Sequence, residues 1–319
     1  MQIFFLLFVL FLNAFAQDVL RTKVIMGTFV TVTLPEEKKQ DMQAVFKIMK
    51  NVDASLSSFK QNSPIFKLNQ NKITSLDAYS YEALQLSQKY YNQTDGYFNV
   101  AIGAITKDLY CFGKEEKVPQ EKALKRSDTS FKNLHFTQTQ ANISHTIKID
   151  LGGLGKGFAV DKAMVYLKEH QVRKAKVAAS GDIRCLGTCK IEIKNPFSEK
   201  PLFAFETKKQ EMGISTSGNY EHFVKNTQYN HLINPKTKHS QTNFISVTLI
   251  SALPSSQLDA FATAISVMPK EKAFVFLKKF NIAYVILDTQ MKLFISENIS
   301  QLSNEIVSKK EQEIKLQRE

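Results

Sequence analysis

The chain has 319 residues and 43% hydrophobic content, enough to bury one large core or two small ones. Its formal net charge is +12, from 42 basic and 30 acidic side chains. The basic residues are scattered without an arginine-rich arm, which argues against nucleic acid as a partner; a solvated surface is the ordinary reading, and attraction of a phosphate-bearing small molecule the functional one.

The first sixteen residues are an apolar run ending in Ala14-Phe15-Ala16. The run is short for a spanning helix and closes on a small-x-small cleavage pattern, which predicts a secretory signal cut after Ala16. No Lys or Arg precedes it, so an uncleaved anchor and an N-terminal strand are the competing readings. No cysteine lies near Ala16, so a lipid-modified N-terminus is not expected. The rest, 17–319, reads as one domain in the periplasm or otherwise exported, with attachment to the inner membrane left open. A sub-boundary near 147 falls in the polar stretch before Lys148.

Val24 to Leu34 alternates around Met26-Gly27-Thr28 and predicts a strand with a glycine break. Met42, Val45, Phe46, Met49 and Val52 form a helical stripe within 36–56. Residues 79–91 predict a second helix, stopping before Thr94-Asp95-Gly96. The stretch 114–146 predicts loops and short strands. A helix is expected over 157–170, with strands over 174–179 and 190–194 flanking Gly181. Phe244 to Ile250 is β-branched and predicts a strand. Pro254 opens a helix through Met268, and Pro269 opens another. Residues 283–287 and 293–295 predict a hairpin near Asp288, followed by a charged helix or frayed end from Asn298. The mixture lacks regular βαβ alternation, so the expected class is α+β, with mixed, largely antiparallel sheets packed against helices.

Cys111, Cys185 and Cys189 are too few, and odd in number, for a disulfide framework. Cys185 and Cys189 either close a small loop in an oxidising compartment or remain free thiols. A zinc site would need more ligands than lie nearby.

Two segments carry chemistry. Asp150-Leu-Gly-Gly-Leu-Gly-Lys-Gly157 places a carboxylate, a glycine turn and Lys156 at a helix start, an arrangement that suits a phosphate. A solvated lysine at the first turn is the competing reading for Lys156. Asp259 and Thr263 are one helical turn apart, so their oxygens face the same way. Oxygen ligands of this kind suit a hard cation such as Mg²⁺, which completes its shell with phosphates and water.

These pieces, with others in order, resemble the ApbE family of FAD:protein FMN transferases. The matching segments are Met26-Gly27-Thr28, Leu56-Ser57-Ser58-Phe59 with Ser63 and Asn69, and Thr94-Asp95-Gly96-Tyr97-Phe98-Asn99. Next come the glycine turn with Asp161, then Ser180-Gly181-Asp182 and Ser215-Thr216-Ser217-Gly218-Asn219-Tyr220. His231-Leu232-Ile233-Asn234-Pro235 and Asp259 to Thr263 complete the set. The resemblance implies Mg²⁺-dependent transfer of FMN from FAD to a Ser or Thr hydroxyl of an acceptor flavoprotein, with AMP released. Such acceptors are typically subunits of membrane redox complexes. A FAD pyrophosphatase and a non-catalytic flavin-binding protein are the rival readings.

By the same resemblance the Gly153 carbonyl joins Asp259 and Thr263 as a metal ligand, and His231 is the general base. Met26, Phe59, Tyr97, Phe98, Asn99, Asp150, Lys156, Gly181, Thr216 and Leu232 are expected against FAD. Thr216 to Gly218 is expected to turn beside the pyrophosphate. With 24 phenylalanines in the chain, ordinary core burial is the competing reading for Phe59 and Phe98. The family often has Asp where this chain has Asn99 and Asn234, and two glycines where it has Ser180-Gly181.

Overall fold

The structure, a computed structural model, describes residues 18–208 and 210–306. The expected signal segment 1–16 and the end of the charged tail lie outside the described residues.

The chain begins with β1 (Asp18–Ile25) and β2 (Thr28–Pro35), paired antiparallel from Asp18↔Pro35 to Ile25↔Thr28. This corrects the expectation of one interrupted strand. Met26 and Gly27 both have positive φ, 57° and 72°, the requirement of a two-residue type I′ hairpin turn. Val30, Val32 and Leu34 point inward and Phe29 outward, the period-two pattern of a half-buried strand.

Helix α1 (Asp41–Leu56) buries the predicted stripe of Met42, Val45, Phe46, Met49 and Val52. Helix α2 (Pro64–Asn71) starts with Ser63 accepting from the Ile65 N–H and Pro64 in the first turn. It leads to β3 (Ile73–Ser75) and to α3 (Ala78–Gln93), whose N-terminus is a capping box of Asp77 and Ser80. A π-helical turn spans Ala104–Leu109. The polar stretch then supplies α4 (Glu121–Arg126), β4 (Leu134–Phe136) and β5 (Gln140–Ile143). Helix α5 (Gly155–Glu169) follows the glycine turn.

Strands β6 (Ala175–Ala179), β7 (Asp182–Leu186), β8 (Lys190–Ile193), β9 (Phe203–Thr207) and β10 (Glu211–Gly218) come next. The expected turn over Thr216 to Gly218 is instead the end of β10, because Thr216 and Gly218 pair with Thr248 and Ser246. An excursion over 219–243 returns in β11 (Phe244–Ser251). Helices α6 (Ser255–Val267) and α7 (Lys270–Lys279) precede β12 (Ala283–Asp288) and β13 (Leu293–Ile295). A short 3₁₀ turn and β14 (Ser303–Ile306) stand where a charged helix or frayed end was expected.

Eight strands form the main sheet in the order β1-β2-β6-β7-β10-β11-β12-β13, every neighbouring pair antiparallel. Two three-stranded sheets, β14-β9-β8 and β3-β5-β4, complete an α+β architecture. The principal core lies between the main sheet and helices α1, α3, α5 and α6. A second cluster, including Cys185, Ile191, Phe205, Met212 and Ile250, fills the other side beneath the β8–β9 sheet. A disulfide joins Cys185 to Cys189 there, closing the loop between β7 and β8. Ile105, Tyr110, Leu124, Val224 and Ile233 form a third cluster, which ties the π-helical turn and α4 to the excursion. No described helix is long and apolar enough to cross a membrane.

Candidate active site

The two sequence segments meet where α5 and α6 start side by side. Gly157 sits so close to α6 that a Cβ there would lie 2.3 Å from the Ser255 carbonyl oxygen and 2.9 Å from the Asp259 Cβ. Its N–H donates to Asp259 Oδ2 at 3.1 Å. A Cβ on Gly153 would stand 2.6 Å from the Thr263 hydroxyl oxygen. Glycine at both positions is therefore a packing requirement, and it brings the Gly153 backbone against the same helical face as Asp259 and Thr263.

Asp259 is buried, with 3% of its surface exposed. Burial raises its carboxyl pKa first, and the Asp182 charge raises it further; Lys156 and the Gly157 N–H pull it back. Lys156 Nζ lies 3.2 Å from Asp182 Oδ2 and 3.9 Å from Asp259 Oδ2. Burial opposes the Lys156 charge, yet these two carboxylates hold its pKa above the ordinary lysine value. Asp182 is fixed in turn by the Ser215 hydroxyl at 2.5 Å. The expected phosphate-binding lysine is thus also the ion-pair partner of two buried acids.

A divalent cation fits these residues. The anionic charge beside Lys156 is costly to bury, and the Thr263 hydroxyl has no hydrogen-bond partner among the described residues. The donors are all hard oxygens, which suits Mg²⁺ better than a softer metal. Among the described residues no three His, Cys, Asp or Glu gather to hold a metal by themselves. Such a cation would take Asp259, Thr263 and the Gly153 carbonyl and complete its shell with substrate oxygens.

His231 lies on the excursion, partly buried. Its Nδ1 is 3.1 Å from the His222 carbonyl oxygen, which only accepts, so Nδ1 carries the proton and Nε2 keeps a free lone pair. Burial pushes its pKa down to about 4, against a weaker upward pull from that carbonyl. The Lys156 charge also lowers it and the Asp150 charge raises it. The imidazole is neutral at pH 7.

Asp150 opens the turn. Its carboxylate accepts from the Thr106 hydroxyl at 2.6 Å and the Gly152 N–H at 3.0 Å, and Lys107 Nζ stands 3.2 Å away. Burial works against its charge, but these partners hold its pKa below the usual carboxylate value. Lys107 also covers the Phe59 ring at 4.8 Å from its centroid, and that ring is 54% exposed. The Met26 side chain reaches Gly155, where an added Cβ would be 3.3 Å from its Cε. Gly181 backs onto Thr216, whose carbonyl oxygen would be 2.9 Å from a Cβ.

The remaining residues expected against FAD have these surroundings. Phe98 is in the core, edge-on to Tyr90, and Leu232 is buried with its N–H and carbonyl both hydrogen-bonded. Tyr97 is buried beneath Lys236 and Lys272, whose ammonium groups lie 4.5 and 4.8 Å from its ring centroid. Asn99 spends its side chain on backbone, accepting from the Ala101 N–H and donating to the Thr129 carbonyl. Lys107, Thr106 and the role of Asp182 were not read from the sequence. Asp182 lay in a recognisable motif; Lys107 and Thr106 lay in none.

A family model described as the ApbE family matches residues 26–286. A FAD:protein FMN transferase of Treponema pallidum (strain Nichols) is 26% identical over 295 residues, covering 82% of this chain and 81% of that protein. One from Haemophilus influenzae is 26% identical over 285 residues, 81% of each chain. The solved ApbE protein of Thermotoga maritima has a TM-score of 0.82 at 24% identity, covering 91% of this chain and 100% of that one. The flavin transferase ApbE from Vibrio cholerae has a TM-score of 0.76 at 20% identity, covering 90% and 99%.

Proposed function

Because the chain belongs to the ApbE family, we propose that it is a FAD:protein FMN transferase that moves FMN from FAD to a Ser or Thr hydroxyl of an acceptor protein. The observation that carries this reading is the meeting of Gly153, Thr263 and the buried Asp259 beside Lys156. It is an anionic oxygen site next to a cation, at the junction of two helix N-termini, suited to a divalent cation and a pyrophosphate.

In the reaction the acceptor oxygen attacks the FMN-side phosphorus of FAD. An O–P bond to the acceptor forms, the P–O bond to the adenylate breaks, and AMP leaves. Bound Mg²⁺ would neutralise the pyrophosphate and stabilise charge on the departing phosphate. Lys156 and the glycine turn hold the phosphates in line. His231 Nε2 accepts the hydroxyl proton; the anionic substrate raises the basicity of an imidazole whose pKa burial has depressed.

Export to the periplasm through the apolar opening belongs to this proposal, and an acceptor in a membrane redox complex fits it. The test mixes the protein, FAD, Mg²⁺ and a candidate acceptor. Mass spectrometry should find an FMN moiety added to an acceptor Ser or Thr, with AMP released. Free FMN and AMP with an unmodified acceptor would instead identify a pyrophosphatase.

A further inference from the structure

Lys107 belongs to no motif, yet its ammonium touches two residues of the site, Asp150 and Phe59. We propose that Lys107 is the residue of this corner that donates a hydrogen bond to an oxygen of FAD, with Asp150 acting as the positioning residue that holds it. The inference rests on the FAD-dependent reading above and deepens it.

The donor count supports this assignment. Asp150 already receives the Thr106 hydroxyl, the Gly152 N–H and the Lys107 ammonium. An ionised carboxylate is acceptor-only with about four lone-pair sites, so Asp150 keeps at most one for a ligand and cannot donate to an oxygen of it. The ammonium has three donors and gives one to Asp150. Its charge lies over Phe59, and 16% of the Lys107 side chain is open to solvent, beside 19% of Asp150. Phe59 itself is half exposed and provides a face for a planar ring beside that donor. FAD presents both a ring bearing carbonyl oxygens and phosphate oxygens, and either is an acceptor that Lys107 satisfies.

The backbone is built to hold Lys107 there. The Ala104–Leu109 segment is a π-helical turn, closed by the Tyr110 N–H on the Ile105 carbonyl at 2.9 Å. Such turns widen a helix locally and recur at functional sites. Here the turn puts the consecutive residues Thr106 and Lys107 on one carboxylate. The residues just before the turn are also sewn to the segment that enters the site: the Gly103 N–H donates to the Lys148 carbonyl and the Asp150 N–H to the Val100 carbonyl. A Cβ at Gly103 would be 2.6 Å from the Lys148 oxygen, so the two backbones are in direct contact.

The test is FAD titration by flavin fluorescence with Mg²⁺ present, on the wild type, Lys107→Met, Lys107→Arg and the double variant Lys107→Met/Asp150→Asn. Lys107→Met is expected to weaken FAD binding by roughly 10- to 100-fold, the worth of a charge-assisted hydrogen bond. The double variant removes the stranded carboxylate charge and should remain equally weak, while Lys107→Arg stays within a few-fold of wild type. Wild-type affinity in the double variant would overturn the proposal, because Lys107 would then serve only to neutralise Asp150. Where Lys107→Met alone unfolds, the charge-balanced double variant carries the comparison. Competition by FMN and by AMP assigns the acceptor: weakened FMN binding places it on the flavin half, weakened AMP binding on the adenylate half, and loss of neither overturns the contact. Failure of the wild type to bind FAD overturns the transferase reading along with this one, whereas tight wild-type binding unchanged in Lys107→Met overturns this one alone.

Discussion

Asp161 and Asp259 cap one another's helices. Asp161, on α5, accepts the Ser255 and Ser256 N–H groups at the start of α6, at 2.7 and 2.8 Å. Asp259, on α6, accepts the Gly157 N–H in the first turn of α5. Each carboxylate sits at the positive end of the neighbouring helix, where the macrodipole favours it. The exchange locks the two helices in register, so the position of Asp259 depends on a residue of the other helix.

Replacing Asp161 should therefore disturb both stability and the proposed metal site. Asp161→Ala leaves two N–H groups of α6 without their side-chain acceptor, and the expected cost is about 1–2 kcal/mol. Urea unfolding checks the stability, and Mg²⁺ titration should show weaker binding in the variant. An unchanged denaturation midpoint would show that α6 needs no such cap.

Asp259→Asn keeps an oxygen for the Gly157 N–H but removes the charge. The fold should persist while transfer activity is lost. Ligands that bind only the folded state raise its stability by mass action, so added Mg²⁺ with FAD should raise the wild-type melting temperature. The same addition should leave Asp259→Asn unmoved. Equal shifts in both proteins would place the metal elsewhere.

His231→Ala should retain FAD affinity and lose about 10²- to 10⁴-fold in transfer rate, the usual contribution of a general base. The free-enzyme pH profile has a matching signature. Burial sets the folded pKa at about 4, so kcat/KM should show no inflection from this imidazole near 6.5. The same shift acts on stability. Between about 6.5 and 4 the unfolded chain binds the proton and the folded one does not, so stability falls as pH drops through that window. His231→Gln should flatten that part of the stability profile; an unchanged slope would assign it to other groups.

Asn234→Asp restores the residue the family often carries, yet it should destabilise this chain. The Asn234 amide donates to the Val267 carbonyl at 2.8 Å, at the C-terminal end of α6, while its oxygen accepts from the Lys236 N–H. A carboxylate cannot donate, and it adds charge at the negative end of the helix. The expected loss is about 1–3 kcal/mol by denaturant unfolding. The Asn99 amide makes the equivalent donation to Thr129. Both departures from the family pattern thus act as backbone ties. A variant as stable as wild type would reject that reading.

The site was legible in the sequence where its logic is local. The one-turn spacing of Asp259 and Thr263 and the glycine turn before Lys156 depend on nearby residues only. The pairing of Lys156 with Asp182, and of Asp150 with Lys107, joins residues from separate elements and leaves no periodic trace. For the fold, α1 was plain from its stripe of Met42, Val45, Phe46, Met49 and Val52. The β7 strand was hidden because Asp182 and Arg184 are polar yet buried. The end of β10 resembled a turn because Ser215, Thr216, Ser217 and Gly218 are turn-favouring residues, and only cross-strand pairing overrides that preference. The β1–β2 hairpin looked like one strand because Met26, unlike Asn or Gly, gives no signal for positive φ.

The inner partner of β2 is β6, with Val30 opposite Ala179, so the first hairpin waits for much of the chain before its sheet forms. During synthesis from the N-terminus it emerges long before that partner exists. A lone two-stranded hairpin is marginal in water, and this one carries Leu20, Val24 and Phe29, which stay exposed even in the finished fold. Unpaired β edges with apolar faces invite association with other chains. Among the described residues this hairpin is thus made first and completed late, and a holdase that binds extended apolar segments would protect the nascent chain by engaging residues 18–35.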